Sequence, residues 1–198
     1  MAISNHDLQL LDSTTRKVVL DALTNPDFLK VVTPNYGAGF LGTGEEPVKL
    51  TGTVNGIKIV EHRLDIQGLA CKGDAQGDAI GLAAGGAAYF DQYTVAEYGY
   101  VYRIEMICLE TPTEATATFE QDIDLMAEDD NDVAYDGAVD DTVIAAARDW
   151  VVGEMAVDNT PKLTANDYFY LGEGDTGATT GVYGAGKFVI RFYGHPGF

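Results

Sequence analysis

Two glycine patterns stand where a phosphate could be cradled. Gly172-Glu-Gly174-Asp-Thr-Gly177 fits G-x-G-x-x-G after an apolar run, and Gly181 to Lys187 fits G-x-x-x-x-G-K. The first needs a helix opening at its last glycine, with the helix N-terminus facing a pyrophosphate. More Gly and Thr follow instead, and Glu173 and Asp175 would repel the anion. In the second, Phe188 replaces the Ser or Thr that would hold magnesium, and the residues after Lys187 alternate as a strand does. Neither is read as a nucleotide site, and no cofactor is expected; the glycines are there for the turn conformations they permit.

Nucleophiles are scarce. The only serines are Ser4 and Ser13, so a Ser-His-Asp hydrolase does not fit. His6, His62 and His195 are scattered, no H-x-x-x-H or C-x-x-C spacing occurs, and no metal site is expected. His62, between Glu61 and Arg63, reads as an exposed strand residue. Two carboxylates on a β scaffold could flank a glycosidic bond, but 31 acids give no means of choosing a pair. The acidic run from Glu128 to Asp141 fails as an EF-hand: scored from Asp132, Ala134 stands at the third position and Val143 at the twelfth. A solvated acidic loop is the reading there. No catalytic residue is assigned. Tyrosines beside glycines (Tyr36, Tyr98, Tyr183, Tyr193) are candidates for stacking a sugar or anchoring an interface.

The elements that would carry these groups read as strands. Asn55-Gly56 between LTGTV and IKIVEHR is a two-residue type I′ hairpin signature, with Val54 opposite Ile57. From Tyr98 to Glu110, Tyr100, Tyr102, Ile104, Met106 and Cys108 share one face, and Thr111-Pro112 is expected to stop the strand. From Thr116 to Met126, Phe119, Ile123 and Leu125 face inward, while Glu120, Asp122 and Asp124 form an outward acidic row. Val143 to Ala147 and Trp150 to Val157 are read as strands, in keeping with their neighbours. Tyr168 to Leu171 reads as a strand covered on both faces. Lys187 to Tyr193 places Phe188, Ile190 and Phe192 on one face, and the two strands are read as a long-looped antiparallel hairpin. Ala79 to Phe90 reads as a small-residue loop packed against a neighbouring surface.

The fold class is therefore all-β, an antiparallel jelly-roll or β-sandwich over residues 48–198, behind an arm over residues 1–47. The arm has a short helix at Asp12 to Leu23 and a Gly/Pro connector from Thr33 to Pro47. Val18, Val19, Ala22 and Leu23, with Phe28 beyond Asn25-Pro26, form a narrow apolar stripe that must dock on something, and are the expected partner-binding residues.

Composition bounds the partners. A chain of 198 residues that is 46% hydrophobic can bury a sizeable core without staples. Of its two cysteines, Cys108 falls on a buried strand face and is expected as a free thiol. With 12 Lys and Arg against 31 Asp and Glu the net charge is −19, which opposes binding to nucleic acid or to an anionic membrane. The opening residues, Met1-Ala-Ile-Ser-Asn-His-Asp, turn polar at once, so no leader is expected.

The ending LTANDYFYL…GAGKFVIRFYG, behind a short N-terminal arm, resembles tailed-bacteriophage head decoration (cement) proteins, best over Lys162 to Gly194. The resemblance implies a non-enzymatic jelly-roll module, often a homotrimer, made in the host cytoplasm. It would sit on the exterior of an icosahedral virion and bridge subunits of the major capsid protein. The alternatives are a receptor- or glycan-binding β module of a tail fibre, and a carboxylate-dependent glycan enzyme.

Overall fold

The computed structural model describes residues 29–72, 75–114, 121–174 and 180–197. The arm helix and its stripe, Val18, Val19, Ala22, Leu23 and Phe28, lie outside the described residues.

The Asn-Gly hairpin is formed as expected. Strand β2 (Val48–Val54) turns into β3 (Ile57–Asp65) with Val54 paired to Ile57. Asn55 and Gly56 have φ of 52° and 79°, the two positive values that a type I′ turn requires. Around this hairpin the described chain is mostly strand, in two antiparallel sheets, as in an all-β sandwich. The remaining strands are β1 (Lys30–Val32), β4 (Ala70–Cys71), β5 (Asp91–Gln92), β6 (Tyr100–Glu114), β7 (Ile123–Glu128), β8 (Asp141–Ile144), β9 (Met155–Asp158), β10 (Tyr168–Glu173) and β11 (Gly181–His195). The large sheet runs β1-β2-β3-β11-β6-β9, with β4 also on β11, and the small sheet runs β5-β10-β7-β8. Their facing sides make the core: Ile104, Met106, Phe188, Ile190 and Phe192 from the large sheet meet Ile123, Leu125, Phe169 and Leu171 from the small one. Phe169 and Phe192 lie 4.7 Å apart between ring centroids.

Several expectations are corrected. β10 and β11 are not a hairpin: β10 pairs with β5 and β7, β11 with β3 and β6, so the two strands belong to different sheets. Both strands are apolar enough to be interior, and an interior strand can take its neighbours from either sheet. Pro112 does not stop β6, which continues to Glu114 through register shifts against β11. Opposite Pro112, Gly186 (φ 145°) takes the local irregularity that a strand proline demands. Tyr100 shares sequence parity with the core residues of β6 yet is 59% exposed, because a register shift against β11 between Tyr193 and Gly194 breaks the alternation there and Val101 packs against the core instead.

The outward acidic row of β7 is also corrected, since Asp122 and Asp124 are buried. Chain around residues 77–89 and 133–139 folds over the outer face of the small sheet. Residues 77–80 bond to the β10 edge, as in Ile80 N to Leu171 O (2.9 Å), and the 133–139 segment bonds to that chain in turn, as in Ala79 N to Gly137 O (2.8 Å). Beneath it Ala79, Ala88, Met126, Val139 and Tyr170 form a second apolar cluster. The small-residue loop thus packs as expected, with Ile80, Ala88 and Phe90 wholly buried.

The Thr33 to Pro47 stretch is not a free connector. β1 pairs with β2, a 3-10 turn covers Ala38–Phe40, and Phe40 is buried. Its glycines permit close approach: a Cβ on Gly37 or Gly39 would fall 2.1 or 2.0 Å from a carbonyl oxygen of Ala87 or Gly86.

Candidate functional site

The least expected chemistry lies between the sheets. The hairpin register that pairs Val54 with Ile57 also sets Lys49 opposite His62. That row continues through Ile190 to Met106, so both side chains point into the core. Across from them the small sheet presents Asp91 from its edge strand β5. A four-residue helix, α1 (Val95–Tyr98), follows and is capped by the Thr94 side chain. Its end carries Glu97 and Tyr98, and Lys58 Nζ bonds the carbonyl of Ala96. Lys49, His62, Asp91 and Tyr98 are each at most 4% exposed.

These groups form one network. Lys49 Nζ contacts Asp91 Oδ2 and lies 2.8 Å from Glu97 Oε2. The Tyr98 hydroxyl donates to Asp91 Oδ2 at 2.6 Å, and His62 Nε2 lies 3.2 Å from the same oxygen and 2.8 Å from the Tyr98 hydroxyl. His62 Nδ1 has no partner among the described residues, which assigns the proton to Nε2, where two acceptors stand. The rings of Phe90, Tyr98 and Phe192 enclose the imidazole. Burial pushes the imidazole below its usual pKa against the pull of Asp91, so His62 is neutral near pH 7. Burial would raise the Asp91 carboxyl, but the His62 hydrogen bond and the Lys49 ammonium outweigh it and hold the group at about 2. Tyr98 is pushed well up by burial and by Asp91, and stays a hydroxyl donor. The expectation of an exposed His62 is thereby corrected. Val60 and Leu64, two residues to either side, are the apolar neighbours that place it inward.

The outer face of the large sheet is dressed differently. Glu61, Arg191 and Glu105 are cross-strand neighbours on β3, β11 and β6. Arg191 Nε bonds Glu61 at 3.0 Å, Arg63 bonds the other Glu61 oxygen at 2.9 Å, and Glu105 accepts from Arg103 and Tyr193. Burial would raise Glu61; the Arg191 and Arg63 hydrogen bonds more than offset it and keep the carboxyl low. Toward the β9 edge the ionic dressing ends. Ile107 pairs with Met155, and the 151–154 turn runs beside β6 through Val152 N to Thr111 Oγ1 and Gly153 N to Cys108 O. Leu109, Val151, Val152 and Met155 are there about half exposed.

Other candidates are placed as follows. Gly181 to Lys187 lies within β11, a strand where a phosphate loop needs a helix. In the acidic loop, Glu128 accepts from the backbone N–H of Asp129 and Asp140, Asp130 from that of Asp132, and Asp136 pairs with Lys72. No trio of His, Cys, Asp or Glu able to hold a metal occurs among the described residues. Tyr98 and Tyr183 are buried, and Tyr193 is tied to Glu105, so these three are not open stacking platforms. Cys71 and Cys108 are buried thiols not joined in a disulfide, Cys108 pushed by burial to about 11. Among the described residues no helix is long and apolar enough to cross a membrane. Comparison of the chain with protein-family models, with characterised proteins and with solved structures gives no match.

Proposed function

We propose that the chain is a non-enzymatic virion structural protein. It decorates the exterior of an icosahedral phage capsid and stabilises it by bridging subunits of the major capsid protein. The observation that carries this reading is the apolar patch of Leu109, Val151, Val152 and Met155 at the β6–β9 edge, beyond the ion pairs that cover the middle of that sheet face on β3, β11 and β6. A contiguous exposed apolar patch on an acidic, well-solvated protein marks a surface that another protein covers. The sequence adds a second attachment device, the stripe of Val18, Val19, Ala22 and Leu23 ahead of the sandwich. In this reading the strands form a jelly roll, the protein is made in the host cytoplasm, and it assembles as a homotrimer.

Co-sedimentation with capsids stripped of their decoration tests the reading. The full chain is expected to pellet with them. Val152→Asp with Met155→Asp is expected to weaken attachment at least about tenfold, equivalent to ~1.4 kcal/mol, without changing the melting temperature. A full chain that stays in the supernatant overturns the assignment.

A further inference from the structure

We infer that Lys49 and Asp91 are the two halves of an intramolecular isopeptide bond, an amide that ties the large sheet to the small one through the core. Three features of the cluster carry this. First, a primary amine and a carboxyl are held in contact where neither is more than 3% exposed, Nζ against Oδ2 and so one bond from Cγ. Such proximity converts a slow bimolecular condensation into an intramolecular step. Second, Asp91 Oδ2 already receives the Tyr98 hydroxyl at 2.6 Å and faces His62 Nε2–H at 3.2 Å. These donors are aimed where negative charge grows when the carboxyl carbon is attacked. Third, Nζ has a second carboxylate, Glu97 Oε2, at 2.8 Å, and the Glu97 side chain is 34% exposed, a proton acceptor with a route toward solvent. A plain ion pair does not require this much: burying an ammonium and a carboxylate together is costly, and an apolar pair of similar volume would pack the same space.

The step balances without an outside reagent. Nζ gives a proton to Glu97 and attacks Cγ of Asp91, forming the N–C bond. Oδ2 carries the charge of the tetrahedral intermediate and remains as the amide oxygen. The C–Oδ1 bond breaks as that oxygen takes up the two protons lost by the ammonium, relayed through Glu97, and leaves as water. One hydrogen stays on the amide nitrogen. No electron is exchanged. Burial favours the product, because two charged groups become a neutral amide in an apolar core and the water leaves it.

Mass spectrometry of the intact, denatured full-length protein reads the outcome directly. The expected mass is lower than that of the sequence by one water, and digestion is expected to yield one branched peptide joining the Lys49 and Asp91 segments. Glu97→Gln keeps a hydrogen-bonding side chain on the helix but removes the proton acceptor. It is expected to fold, by circular dichroism, and to show the full sequence mass, as is Lys49→Met. Wild-type protein that is folded and retains the full sequence mass after prolonged incubation overturns the inference, whatever the variants do. A water loss that persists in Lys49→Met overturns it equally. Neither result depends on capsid binding.

Discussion

The small sheet buries a carboxylate on each of its faces, and its surroundings treat the two in opposite ways. Asp91, on the inner face, meets a cation, a phenol and an imidazole N–H, and its pKa is held at about 2. Asp124, on the outer face beside the chain that follows β8, has one backbone donor, Ala146 N at 2.7 Å. Burial pushes it up to about 6, against the pull of that N–H and with the charge of Asp122 adding to the rise. Burial is nearly the same, each residue being 1% exposed. The partners differ, and they decide at what pH the buried acid becomes a charge. Asp91 sits in a site built around its charge; Asp124 is a backbone staple that titrates in passing.

Truncation should separate the two most. Measured against Glu97→Gln, in which the Lys49–Asp91 ion pair persists, adding Asp91→Ala strands Lys49 in the core and is expected to cost about 3–5 kcal/mol in urea unfolding. Asp124→Ala leaves one backbone N–H unpaired, for about 1–3 kcal/mol. Equal losses would break the comparison.

The pH dependence comes next. The folded pKa of Asp124 lies above its ordinary value, so the stability it contributes is present while it is protonated and declines as pH rises from about 4 through about 6. Asp124→Asn keeps an oxygen for Ala146 N–H and should flatten that decline. At pH 7 it is expected to gain about 1–3 kcal/mol on wild type, at 1.36 kcal/mol per pKa unit. For Asp91 the sign reverses: its stabilisation is present above about pH 4 and lost as pH falls toward 2. That acid limb should be visible in Glu97→Gln, where the carboxylate persists, and missing where the amide has formed. Melting temperatures of Glu97→Gln across pH 2–8, a range bracketing the titration of both groups, would show whether the two limbs slope in opposite directions. The smallest effect lies outside both sites. Asn55→Ala puts an alanine at φ 52° and should cost about 1 kcal/mol by the same unfolding assay. A loss as large as that of Asp91→Ala would mean that turn strain, not buried charge, dominates the hairpin.

Much of this fold was legible in local pattern. The Asn55-Gly56 turn and the inward Phe188, Ile190 and Phe192 follow from turn chemistry and period-2 alternation, which are properties of a few consecutive residues; the strands expected at Val143 to Ala147 and Trp150 to Val157 are only partly found, as β8 ends at Ile144, β9 begins at Met155 and a turn lies between. Even half of the buried cluster was determined there: once Val54 faces Ile57, Lys49 must face His62, because hairpin register carries down the ladder. Which face of the hairpin became interior was signalled by Val60 and Leu64 around His62, against the charge of Glu61 and Arg63. The rest required the tertiary structure. Nothing near Asp91 in the chain announces that it will meet Lys49, since that contact depends on β5 lying at the edge of the opposite sheet. Asp122 and Asp124 look solvated on a strand considered alone, and neighbours from elsewhere in the chain, such as Gly174 beside Asp122 and Ala146 on Asp124, accompany their burial. The separation of β10 from β11 was likewise decided by sheet packing, because two apolar strands joined by a long loop satisfy the same alternation whether they pair with each other or cross the core. Local sequence sets conformation and register over a few residues; partners brought from across the sandwich set charge state, and with it chemistry.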